Sequence, residues 1–101
     1  MAAKSRSLII EEVEEHVLKN GSDFREWYVG VTADPKTRLF SQHRLKRTGD
    51  AWISRRAIDG PQAREVAGYF VSVRNAKGGA GASDVDGEYF YAYKIKAHTR
   101  P

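Results

Sequence analysis

WYVGVTADPKTRLFSQH, residues Trp27 to His43, changes character half-way along its length. Trp27, Tyr28, Val29 and Val31 form an aromatic and β-branched run, the composition of a strand. The run ends at Asp34-Pro35, where an aspartate can cap a helix and a proline can occupy its first position, because its missing N–H would have no partner there anyway. The spacing predicts a strand over 27–31 and a helix over 35–45.

Outward from this unit the same reasoning predicts four more elements. Upstream, Leu8, Ile9, Val13, His16 and Val17 recur at helical spacing, Ser5 or Ser7 can cap the start, and Asn20-Gly21 supplies a stop, giving a helix over 7–20. Downstream, Arg47 to Asp50 reads as a polar turn, and Ala51, Trp52, Ile53, Ala57 and Ile58 as a second strand ending at Asp59-Gly60-Pro61. Gln62 to Val73 reads as a third helix and NAKGGAGASD, 75–84, as a loop. Tyr89, Tyr91, Tyr93 and Ile95 then alternate with Phe90, Ala92 and Lys94, the period-two pattern of a third strand. The expectation is an α/β (α+β) domain spanning 1–101, with a small three-stranded, mainly antiparallel sheet packed by three helices in the order αβαβαβ.

Composition narrows the chemistry. A chain of 101 residues fits one domain. Its 41% hydrophobic content supports a core and argues against disorder. No cysteine is present, which excludes disulfides, thiolate zinc sites and cysteine nucleophiles, and makes a cytoplasmic protein the simplest expectation. Only Leu8, Ile9 and Ile10 precede the first acids, too short for a signal peptide or a membrane span.

The net charge of +4 conceals an asymmetry. The first helix carries Glu11, Glu12, Glu14 and Glu15. Between Lys36 and Arg56 the balance is +6, with Lys36, Arg38, Arg44, Lys46, Arg47, Arg55 and Arg56 against Asp50 alone. Such a segment suits a polyanion, because each cation near a phosphate releases condensed counterions. Arg44, Lys46, Arg47, Arg55 and Arg56 are therefore candidate contacts to DNA, with RNA as the alternative. A solvated surface accounts for the same charges.

The segment from Trp27 through the third helix, residues 27–73, resembles the GIY-YIG nuclease superfamily. Tyr28, Val29 and Gly30 match the tyrosine-isoleucine-glycine strand end, Arg38 the helix arginine and His43 the histidine that follows it. The resemblance implies hydrolysis of DNA phosphodiesters at one magnesium ion held by a glutamate. It implies that Tyr28 orients or deprotonates the water, Arg38 stabilises charge on the phosphoryl group and His43 assists proton transfer.

Three departures accompany it. No glycine-isoleucine-tyrosine strand precedes Tyr28; the strand carrying Tyr91 and Tyr93 would have to lie beside Trp27–Val31, a circularly permuted sheet. Arg38 and His43 are five apart where the family has four, about 140° apart on a regular α-helix. In QAREVAGYFV, aligned through Ala63, the glutamate position falls on Ala67, and Glu65 lies about 200° around the helix from it. Asp84, Asp86 and Glu88 are alternative carboxylates. The competing reading is a non-catalytic nucleic-acid-binding or protein-interaction domain, with Tyr89, Tyr91 and Tyr93 as a stacking platform for bases. Phe24, Trp27, Trp52, Tyr69, Phe70 and Phe90 are expected in the core. Lys77 precedes its glycines, so the 75–84 loop lacks the order of a phosphate loop. His16, His43 and His98 lack zinc spacing.

Overall fold

The Ser5 hydroxyl accepts a hydrogen bond from the Leu8 N–H and starts helix α1, Arg6–Lys19. Ile9, Val13 and Val17, four apart, form its buried stripe. A single 3₁₀ turn, Phe24–Glu26, leads into strand β1, Trp27–Thr32. Strand β2 is Trp52–Arg56. Asp59 caps helix α2, Gly60–Arg74, by accepting from the Gln62 N–H at 2.9 Å. Strands β3, Lys77–Gly78, and β4, Tyr89–Lys94, complete a four-stranded sheet in the order β2-β4-β1-β3. The computed structural model describes residues 3–21, 23–46, 49–78 and 87–99.

β4 pairs antiparallel with both neighbours: Tyr28 opposes Tyr93 and Gly30 opposes Tyr91 on one side, while Trp52 opposes Tyr93 and Ser54 opposes Tyr91 on the other. Side chains alternate across a strand, so this register sorts the sheet into two faces. Trp27, Val29, Val31, Ile53, Phe90 and Ala92 meet α1 and α2 in the main core, together with Ala63, Val66, Ala67 and Phe70. On the opposite face Tyr91 and Tyr93 pack with Leu39 and Leu45, and Tyr28, Phe40 and Trp52 lean against them.

The mixed α and β class and the antiparallel core of the sheet agree with the sequence. The strand number does not: Lys77–Gly78, inside the stretch read as a loop, pairs in parallel with Tyr28 and Val29. Gly78 sits at φ +89°, and a Cβ there would collide with the Val29 carbonyl oxygen, so only glycine closes this edge. The helix expected over 35–45 is also different. Thr37–Gln42 is a π-helical turn, with the His43 N–H bonded to the Arg38 carbonyl five residues back. It stops because Arg44 adopts a left-handed conformation, φ 61°, while the Leu45 N–H reaches the Leu39 carbonyl and the two leucines pack together. α2 ends the same way, with Asn75 at φ 64° and Ala76 bonded to Phe70.

Candidate functional site on the tyrosine face

Gly30 decides the geometry of this face. It stands opposite Tyr91, and a Cβ on Gly30 would lie 2.6 Å from the Tyr91 hydroxyl and 2.7 Å from the ring carbon bearing it. The glycine lets Tyr91 lie flat over β1 towards the π-helical turn. There the His43 ring is held from both sides: Nε2 is 2.9 Å from the Tyr91 hydroxyl and Nδ1 is 3.1 Å from the Tyr93 hydroxyl. Each ring nitrogen is thus bonded to one phenol, the direction of each bond being set by the imidazole tautomer. Tyr28 caps the group, its ring 4.9 Å from His43 and 5.4 Å from Tyr93.

Arg38 lies on the π-helical turn, and its charge acts on Tyr28. Burial pushes the Tyr28 phenol above its ordinary pKa, and the Arg38 charge opposes that shift. With the i→i+5 bond from His43 to Arg38 the turn is wider than a regular helix, so residues five apart are closer around its axis than the roughly 140° an α-helix would impose.

Tyr93 is shifted upward more strongly, first by burial and then by its neighbours Tyr28 and Tyr91. Both shifts raise the folded pKa above the unfolded value of about 10. Their contribution to stability is complete below that value and declines as the pH rises through it, because the unfolded chain releases protons that the folded one retains. The urea midpoint should therefore fall above about pH 10, and a Tyr28→Phe/Tyr93→Phe double variant should fall less steeply. Equal alkaline slopes in the two proteins would refute the assignment.

The remaining candidates divide. Arg44 and Lys46 are exposed just past the π-helical turn. Arg55 is a correction: it alternates with Trp52 and Ser54 to the α1 side, where its Nε donates to Glu12 at 2.7 Å. Arg56 is exposed and pairs with Glu88 at 3.3 Å. Arg47, Asp84 and Asp86 lie outside the described residues. The stacking platform is corrected as well, since Tyr91 and Tyr93 are fully buried beneath the π-helical turn and offer no open ring face. Among the expected core aromatics, Trp27, Phe70 and Phe90 are fully buried, while Phe24, Tyr69 and Trp52 are half-buried.

Position 67 does not open onto this face. Ala67 is 0% exposed and packs in the core beneath the other side of the sheet. Glu65 is drawn away by Arg6 at 2.9 Å, and Glu88 by Arg56. Among the described residues no three histidine, aspartate or glutamate side chains converge to hold a metal ion. None of position 67, Glu65 and Glu88 therefore presents an unpaired carboxylate to the tyrosine face, and Asp84 and Asp86 lie outside the described residues.

Sequence reasoning missed a cleft of about 490 Å³ beside the cluster, walled by Phe40, Trp52, Ser54 and Tyr89. The signal was present in the alternation of Trp52 and Ser54 on β2, which places both on the tyrosine face. Comparison with family models, with curated proteins and with solved structures finds no match to this chain. Among the described residues no helix is long and apolar enough to cross a membrane.

Proposed function

We propose that the tyrosine face acts on DNA phosphodiesters as a GIY-YIG-like endonuclease site. One observation carries the reading: Tyr28 and His43, chosen by the resemblance, lie together with Tyr91, which a strand distant in sequence delivers to the same face, and the Arg38 charge acts on Tyr28. Arg38 presents a fork of N–H donors to the phosphoryl oxygens and stabilises the charge that grows on them in the transition state. Tyr28, kept as a phenol at neutral pH, orients the attacking water through its hydroxyl. His43 is 5% exposed with both nitrogens bonded to phenols, so it positions Tyr91 and Tyr93 rather than meeting the substrate.

A second reading, binding without cleavage, is favoured by the burial of position 67 away from this face. One assay separates them. Supercoiled and linear DNA incubated with the protein in magnesium or manganese buffer should be nicked, and Arg38→Ala should slow nicking by about 10²–10³-fold, the usual cost of removing a transition-state donor. DNA binding that weakens with salt but gives no product under either metal would leave the binder. Affinity independent of salt would remove both readings, since phosphate contacts release counterions.

A further inference from the structure

We infer that the cleft beside the tyrosine face is a nucleobase subsite, receiving the base that adjoins the phosphodiester held at Arg38. The inference rests on the phosphodiester reading and deepens it.

The cleft has the size of a small-molecule site, about 490 Å³. Its walls are aromatic. Trp52 and Phe40 meet edge to face with centroids 5.3 Å apart, and half-buried Tyr89 closes the side towards β4. Ser54 supplies a hydroxyl on the same lining, a polar group that can orient a flat heterocycle by its edge, whereas the Asp34 carboxylate accepts from the Thr37 N–H and hydroxyl. Lys36 stands at the rim as an exposed cation.

Continuity with the phosphate site selects the occupant. Leu39 lines the cleft and also packs against Tyr91 and Tyr93, so a ligand in the cleft abuts the tyrosine cluster. An aromatic slot with the Lys36 cation at its rim, beside the tyrosine cluster, matches a base joined to its phosphate, because every base offers a π-face to stack while the backbone supplies the negative charge. The fully buried Tyr91 and Tyr93 cannot serve as that stacking surface, whereas Trp52 and Tyr89 retain exposed area.

The test compares three probes on the wild-type protein: single-stranded oligothymidylate, an abasic deoxyribose-phosphate strand of equal length, and free thymidine. Trp27 is 0% exposed on the far side of the sheet, so quenching of tryptophan fluorescence by a base reports Trp52. The base-bearing strand should quench and should bind roughly ten-fold more tightly than the abasic strand, the scale of one stacked base. Trp52→Phe should lose the quenching signal, and Tyr89→Leu should narrow the difference between strands without changing its salt dependence. Equal affinity for both strands with no quenching would overturn the subsite and leave the phosphodiester reading standing. Quenching by thymidine, with neither strand bound, would keep the subsite and overturn the phosphodiester reading. Failure of all three probes would overturn both. The comparison of strands uses the unaltered protein, so a misfolded variant does not rescue the inference.

Discussion

Ala67→Glu is expected to unfold the domain near neutral pH rather than to restore a metal ligand. The side chain at this position is enclosed by the core shared by α1, α2 and the sheet. An ionised carboxylate placed there costs several kcal/mol even after relaxation, and the extra volume adds strain of about 1–3 kcal/mol. Against a domain stability of about 5–15 kcal/mol, that is a large share or the whole. The sign of the pH dependence is diagnostic. Burial raises the pKa of the new carboxyl in the folded state above its unfolded value, so stability recovers as the pH falls through the folded pKa towards the unfolded one. Circular dichroism and urea unfolding at pH 7 and pH 5 should show an unfolded or severely weakened chain that partly recovers in acid. A cooperatively folded variant with an unchanged midpoint would show that position 67 opens to solvent, and would return it to consideration as a ligand.

Gly30→Ala is expected to disable the tyrosine face while adding a single methyl group. That methyl would enter the space of the Tyr91 hydroxyl and ring, and Tyr91 is fully buried with His43 on its far side. Ring displacement breaks the Tyr91–His43 bond and leaves two buried polar groups poorly satisfied, about 1–3 kcal/mol each, in addition to about 1–3 kcal/mol of overpacking. The midpoint of unfolding should drop by an amount comparable with a large core truncation, and nicking or DNA affinity should fall with it. The companion Gly30→Ala/Tyr91→Leu removes the clashing ring and should recover much of the lost stability but none of the His43 anchoring. Full stability in the single variant would mean that Tyr91 does not lie across β1.

The contrast between these positions marks what the sequence could show. Periodicity located α1, α2 and β4 to within a few residues, because each has a buried stripe or alternation that its neighbours enforce: Ile9, Val13 and Val17; Ala63, Val66, Ala67 and Phe70; Phe90 and Ala92 against Tyr91 and Tyr93. The π-helical turn left no trace, since Thr37–Gln42 differs from an α-helix in its hydrogen-bond spacing and not in its composition. β3 was hidden for a related reason, being two residues long and glycine-bearing. At the site, the resemblance brought Tyr28, Arg38 and His43 into view, and the alternation of β4 brought Tyr91 and Tyr93. Arg55 was misread because a tally of charge along the chain ignores the face to which each strand residue turns, and the face decided for Glu12. Ala67 illustrates the same limit: alignment through one alanine fixed a number along a helix, whereas packing fixed which layer that number occupies.

β4 lies between β1 and β2, which do not bond to each other, and of the four strands it comes last in the chain. Among the described strands, no two that pair are joined by a local hairpin. Both antiparallel ladders wait for 89–94, so loop closure is required before any strand-to-strand contact repays it, and folding should be slow for a domain of this length. During synthesis the aromatic and β-branched segment 27–32 emerges early and stays without its antiparallel partner, an exposure that favours capture by a chaperone or self-association. The same strand delivers Tyr91 and Tyr93 to His43, so the tyrosine face cannot form before β4 docks.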